Sequence, residues 1–302
     1  MITTNDMYLS ISAIQLWEEL NSNCLVKYGT ATAVTAISLV LLRKWIAGGV
    51  CRCRVRLDGK TVVITGANTG IGKETAHDLA MRGARIVMAC RDLSRAEKAA
   101  AEIRRSTGNG HIVVRHLDLA SLFSVRQFAH EYVATENRLD ILINNAGVMM
   151  CPKGLTEDGY ETQFAVNHLG HFLVTVMLLD VLRKSTPSRV INVSSIAHKG
   201  VSGVTVYALH PGVIRTELGR YVQTRHPLIG ALLSIPAILL MKTPKQGAQT
   251  TIYCAVAEWL EPHSGCYFSD CKLKEPAPEG KDDLAALRLW EVSAKLVGYS
   301  ED

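Results

Sequence analysis

The sequence predicts an α/β fold, a doubly wound parallel sheet in a single domain, and three observations predict it. Apolar runs rich in β-branched residues recur at Thr61–Thr65, Arg85–Ala89, Ile112–His116, Leu139–Ile143, Arg189–Val193 and Val204–Leu209. Near-continuous apolar strands of this kind belong in a parallel sheet covered on both faces. Stretches of helical period separate the first four runs, as expected of repeated βαβ units. A glycine-rich turn leads directly from the first run into the first of those helices.

Before the sheet lies an uncharged run of 14 residues, Gly29–Leu42. A spanning helix needs roughly 17–25 residues. Lys27 on one side and Arg43 and Lys44 on the other can snorkel, which extends the segment to about 25–46 as a membrane anchor. An interfacial helix is the alternative. A cleaved signal fits poorly, because Asp6, Glu18 and Glu19 precede the run and the basic residues follow it.

The net charge of +5 comes from 33 basic and 28 acidic residues. Arg43, Lys44, Arg52, Arg54 and Arg56 form one cluster with no acid among them, and without these five the chain is neutral, 28 against 28. A nucleic-acid-binding face would spread its basic residues, so no nucleic-acid partner is expected. A basic flank stays cytoplasmic, which places everything after the anchor in the cytoplasm. The chain accordingly divides into an N-terminal segment, 1–56, and a domain, 57–302.

Within the domain, helices are predicted over Gly72–Arg82, Ser94–Thr107 and Ser121–Thr135, with Ser94 and Ser121 as N-caps. Gly159–Leu182 reads as a further helix before the strand at Arg189. Leu228–Met241 is apolar, broken by Pro236, and fits either a lid over an apolar substrate or a buried helix. A last helix is expected around Leu284–Leu296, with Trp259 and Trp290 in the core. The eight cysteines lack zinc or disulfide-scaffold spacing, so a reduced compartment and no metal are expected. Cys51 and Cys53, beside the anchor, read as palmitoylation sites or as free thiols. His168 and His171 read as packing residues.

The turn after the first strand is Thr65-Gly66-Ala67-Asn68-Thr69-Gly70-Ile71-Gly72. Gly66 suits a tight turn, Gly70 lets the backbone approach a pyrophosphate, and Gly72 lets helix pack on strand. The helix N-terminus, with Asn68, Thr69 and Ile71 around it, faces the phosphate charge. In such a Rossmann-like unit an acid after the second strand binds the ribose of NAD, and an arginine accommodates the 2′-phosphate of NADP. Here Cys90-Arg91 stands at that place, with Asp92 one position later, so NADP(H) is the expected cofactor.

With Asn144-Asn145-Ala146-Gly147 after the fourth strand, Asp118 after the third and Pro211-Gly212 after the sixth, the chain resembles the short-chain dehydrogenase/reductase family from about Leu57 to Gly298. The phrases Ala89-Cys90-Arg91-Asp92, Val166-Asn167-His168-Leu169-Gly170-His171-Phe172 and Gln246-Gly247-Ala248-Gln249-Thr250 resemble those of vertebrate retinol dehydrogenases that act as membrane-bound retinal reductases. That resemblance implies NADP(H), the endoplasmic reticulum membrane, a retinoid or other lipophilic carbonyl or alcohol substrate, and a homodimer. It implies adenine contact by Asp118, and dinucleotide contact by Asn145, Ala146 and Gly147. Pro211, Gly212 and Val213 would stand at the nicotinamide carboxamide. Asn167 would hold a proton-relay water and Ser195 would hydrogen-bond the substrate oxygen.

The family also uses a tyrosine as proton donor, four residues before a lysine. None of the nine tyrosines, Tyr207 and Tyr221 included, is followed by lysine at that spacing. Only ten residues, 194–203, separate Val193 from Val204, whereas a parallel crossover takes about a dozen or more, normally as a helix. Ten extended residues reach roughly 33 Å, enough to return along a strand. The crossover helix carrying the tyrosine and lysine is therefore expected to be missing, by internal deletion. Acid–base catalysis contributes roughly 10²–10⁴-fold, so severe impairment and a weakened dimer follow. An inactive nucleotide-binding or scaffolding protein, or an unstable product, are the alternatives. The glycosylation pattern Asn192-Val193-Ser194 is accidental on a cytoplasmic strand.

Overall fold

The computed structural model describes residues 15, 17–18, 24–193, 203–219 and 240–300. They fall into two compact units, one ending at Ala47 and one beginning at Gly48. The first contains helix α1, Cys24–Ala47. Its stretch Tyr28–Ala47 has a mean hydropathy of 1.3 and none of it is buried. A helix of 24 residues is about 36 Å long, enough for a bilayer core of about 30 Å. Polar and apolar residues are spread around it, so it lacks the one-sided apolar face of an interfacial helix.

The second unit is a Rossmann-like α/β domain. Its strands are β1 (Thr61–Thr65), β2 (Arg85–Cys90), β3 (Ile112–His116), β4 (Ile141–Asn144), β5 (Ser188–Val193), β6 (Val204–His210), β7 (Tyr267–Ser269) and β8 (Lys272–Lys274), in the order β3-β2-β1-β4-β5-β6-β7-β8. Every pairing is parallel except β7 with β8. The order reverses between β1 and β4, which opens a crevice at their carboxyl ends.

Alternation along the strands fills both faces. Val62, Ile64, Ile191, Tyr207 and Leu209 pack with α2 (Gly70–Met81), α3 (Leu93–Thr107) and α7 (Pro244–Val256). Val63, Leu142, Val190, Val204 and Val206 face α4 (Leu122–Thr135), α5 (Gly170–Met177), α6 (Leu179–Lys184) and α8 (Asp283–Val297).

Several expectations are corrected. The N-cap of α3 is Asp92, whose carboxylate accepts from Arg95 N at 3.0 Å, and not Ser94; Ser121 does cap α4. β4 begins at Ile141, because Asp140 accepts from Thr61 N and pairs with Arg138 and Lys60 at the strand entrance. The single helix expected over 159–182 is broken. Gly159 sits in a turn at φ +83°, and a π-helical turn, Ala165–Leu169, precedes α5. Trp259 is not core: it stands at φ +65° with 84% of its surface exposed. Trp290 is partly buried, edge-on to Phe172 at 4.9 Å. The β7–β8 hairpin, turned by Asp270 and Cys271 with positive φ, carries too few residues to show a strand period. Residues 228–239 of the apolar stretch lie outside the described residues.

Residues 48–57 are strapped to the domain. Cys51 N donates to Gln249 Oε1, and Arg82 donates to the carbonyls of Cys53 and Val55. Cys51 and Cys53 turn toward the core while Arg52, Arg54 and Arg56 face outward. Burial pushes the Cys51 thiol up to about 12, which makes it a poor nucleophile for acylation.

Candidate active site

The glycine loop lies at the crevice between β1 and β4. Gly66 has φ +65°, and a Cβ there would come within 2.9 Å of Ala146 Cβ. At Gly72 a Cβ would meet Asn145 Nδ2 and Gly66 O, each at 2.5 Å. Gly70, at φ +58°, lies under Thr216, whose methyl would be 3.3 Å from an added Cβ. Thr69 precedes α2 without a side-chain capping bond, so the side chain leaves the first N–H groups of the helix to other acceptors. A cradle bared by glycine at a helix N-terminus fits a dinucleotide pyrophosphate. Asn68 and Ile71 are half-buried along its rim.

Thr65 ties the cradle to the loop after β4. Its Oγ1 accepts from Asn145 N at 2.9 Å and Ala146 N at 3.0 Å, and lies 2.8 Å from His171 Nε2. Asn145 Nδ2 donates to Thr65 O at 2.9 Å. With both lone pairs of Thr65 Oγ1 taken, its proton goes to Nε2. His171 then carries its own proton on Nδ1, which faces Asn167 O at 3.3 Å. Burial pushes His171 down to about 4, so the ring is neutral at physiological pH. Neither Thr65 nor His171 stood out in the sequence as a site residue. The signal for His171 is its place four residues after Asn167, on the same helical face.

Asn167 sits in the π-helical turn, where its carboxamide brackets Val148: Oδ1 accepts from Val148 N at 2.8 Å and Nδ2 donates to Val148 O at 2.9 Å. Single π turns inside helices recur at functional sites. This one holds the segment after Gly147 against α5. At Gly147 an added Cβ would lie 3.3 Å from Asn167 Oδ1.

At the end of β2, Arg91 is exposed and Asp92 is committed to capping α3. Asp118 Oδ1 accepts from Ala120 N, which orients its carboxylate at the end of β3. On the opposite side, Pro211 is buried, Gly212 has φ +96°, and Val213 is exposed. Lys242 holds this turn in place. Its N donates to Val213 O, its O accepts from Arg215 N, and its ammonium pairs with Asp270 at 2.6 Å.

An open cavity of about 430 Å³, its mouth included, lies between α5 and β5. Asn144, Asn167, His168, His171, Thr175, Asn192, Val193 and Trp290 are among its lining residues. Asn144 Nδ2 donates to Asn192 Oδ1 at 2.8 Å and Thr175 Oγ1 at 3.0 Å, while its buried Oδ1 has no partner among the described residues. His168 Nε2 meets Ser293 Oγ at 2.7 Å, so both histidines pack as expected. No described tyrosine or lysine lines this space. Tyr207 is buried in the opposite face of the sheet, against Phe268. Ser195 and Tyr221 lie outside the described residues.

Residues 60–209 match the family model described as short chain dehydrogenase. Retinol dehydrogenase 13 of Homo sapiens is 47% identical over 310 residues, covering 89% of this chain and 94% of that protein. Retinol dehydrogenase 12 of Homo sapiens is 48% identical over 296 residues, covering 85% and 92%. A crystal structure of an uncharacterized protein from Mycobacterium paratuberculosis is 30% identical with a TM-score of 0.62, covering 84% of this chain and 98% of that one. Since 89% of 302 residues is about 269, an alignment of 310 positions leaves about 40 where retinol dehydrogenase 13 has residues and this chain has none.

Proposed function

The chain belongs to the short-chain dehydrogenase family, and from that premise we propose that it is an NADP(H)-binding protein of the retinol dehydrogenase type whose carbonyl chemistry is severely impaired. One observation carries the reading: the nucleotide cradle is whole, while the cavity beside it holds neither phenol nor amine among the described residues. The helix N-terminus and the Gly66–Gly72 backbone would bind the pyrophosphate, Asp118 the adenine, and Asn145–Gly147 the floor of the crevice. Pro211, Gly212 and Val213 would close the nicotinamide end. Commitment of Asp92 to the α3 cap leaves Arg91 to read the 2′-position, which favours the phosphate of NADP over the hydroxyl of NAD.

When bound, the dinucleotide supplies the hydride. The substrate class, a retinoid or similar lipophilic aldehyde or alcohol, follows from the names of the relatives and from exposed Met149, Met150, Phe164, Val213 and Leu218 around the crevice. Asn167 fixes the wall of the site, and Ser195 would hold the carbonyl oxygen. No described group is placed to deliver a proton to that oxygen, a loss of roughly 10²–10⁴-fold in rate. The positions this chain lacks relative to retinol dehydrogenase 13 would fall between β5 and β6, where a link of ten residues joins two parallel strands. Residues 1–56 would anchor the domain, 57–302, to the endoplasmic reticulum membrane with the site facing the cytoplasm. A homodimer that used the absent helix would be weakened.

The test is a pair of measurements on purified chain. NADPH should raise the thermal midpoint, and NADPH oxidation with all-trans-retinal should stay near background. Turnover at the rate of an intact relative overturns the impairment, and no thermal shift overturns the nucleotide reading. A nucleotide-binding scaffold is the second reading, favoured by the same intact cradle. Capture of an intact relative in an NADPH-dependent complex would support it.

A further inference from the structure

Arg95 and Glu217 are 122 positions apart in sequence, yet Arg95 Nη2 lies 2.5 Å from Glu217 Oε1. The pair spans the mouth of the crevice. Arg95 stands in the first turn of α3, where its own N–H donates to the Asp92 cap, close after exposed Arg91. Glu217 follows Thr216, which rests on Gly70 at the start of α2. Residues 216–217 therefore bridge the N-terminal ends of α2 and α3, over the ground that a pyrophosphate and an adenosine ribose would occupy. Both partners are roughly half exposed, 48% and 43%, so solvent screens the pair and holds it weakly.

Resting on the nucleotide reading above, we propose that Arg95 exchanges partners on cofactor binding, leaving Glu217 for the 2′-phosphate of NADP(H), and so discriminates it from NAD(H). A 2′-phosphate carries more charge than a carboxylate and offers three oxygens to a guanidinium fork. Arg91 beside it supplies a second cation. Glu217, once released by Arg95, would face the phosphate with like charge, so it opposes NADP(H) binding and offsets part of what Arg95 gains. The 2′-hydroxyl of NAD(H) cannot compete for Arg95, and with that cofactor the bridge stays closed.

The experiment titrates the full chain in detergent with NADPH and with NADH, following nicotinamide fluorescence. For Arg95→Met the NADPH Kd should rise about ten-fold or more, the loss of one charge-assisted contact, while the NADH Kd changes by less than about two-fold. Arg95→Lys should lose less than Arg95→Met. Glu217→Gln should tighten NADPH by about three-fold or more and leave NADH unchanged. Equal effects on both cofactors, or weaker NADPH binding by Glu217→Gln, overturn the exchange. Unaltered NADPH binding by Arg95→Met also overturns it and leaves the nucleotide reading standing. If the unmodified chain binds neither cofactor, both fall.

Discussion

Thr65 and His171 meet at 2.8 Å, and through that contact the first strand grips the helix that follows Asn167. Two backbone N–H groups of the loop after β4 end on the same hydroxyl. Cradle, loop and helix are thus one hydrogen-bonded body, and the position of Asn167 depends on a residue 102 places earlier.

Thr65→Val removes that hydroxyl and orphans Asn145 N, Ala146 N and His171 Nε2. Each buried group left unpaired costs about 1–3 kcal/mol, and relaxation toward water offsets part of the total, so a loss of about 2–4 kcal/mol is expected. Thr65→Ser should restore most of it. Urea denaturation reads the difference. A Thr65→Val chain within about 0.5 kcal/mol of the parent, the range of a bland surface change, would show that the hub carries no load.

Stability should fall with acid in a window set by His171. Burial holds its folded value at about 4 against an ordinary value of 6.5. The unfolded chain therefore binds the proton first. The contribution is complete above about pH 6.5 and is lost as pH falls toward 4, amounting to about 3 kcal/mol at most. Substituting His171→Asn should flatten the stability profile between those limits. An unchanged slope would locate the acid sensitivity elsewhere.

Gly72→Ala and Gly59→Ala separate strain from the site. A methyl at Gly72 collides with Asn145 Nδ2 and Gly66 O, whereas Gly59, at φ +72°, has nothing within 4 Å. Gly72→Ala should abolish the NADPH-dependent thermal shift and cost about 1–3 kcal/mol through overpacking. Gly59→Ala should cost about 1–2 kcal/mol from its left-handed backbone and keep the shift. Equal shifts in both variants would detach Gly72 from nucleotide binding.

On the proposal that the unmatched positions fall between β5 and β6, replacing residues 194–203 with the corresponding segment of retinol dehydrogenase 13 should raise carbonyl reduction by about 10² or more. NADPH consumption with all-trans-retinal measures it. A chimaera that binds NADPH yet remains inactive would place the defect outside this link.

Most of the sheet was legible in the sequence because its signals are local. Strands β1 and β3 coincide with their apolar runs, and β2, β5 and β6 differ from theirs by one residue. Gly66, Gly70 and Gly72 announced a cradle because a positive φ or a close approach leaves room for no other residue. The shortness of the β5–β6 link was readable as a count of ten residues. The cap at Asp92 and the broken helix before α5 were not readable, since serine and aspartate both cap well and the π turn keeps a helical apolar pattern.

By itself, then, the sequence determined the α/β alternation, the glycine-rich loop and the absence of a tyrosine followed four residues later by lysine, all properties of neighbouring residues. Only the tertiary structure decided that Thr65 serves His171, that Tyr207 turns away from the cavity, and that Arg95 reaches Glu217. Those pairings join residues brought together by the order of the strands, and a contact across a hundred residues leaves no period or spacing in the chain to read.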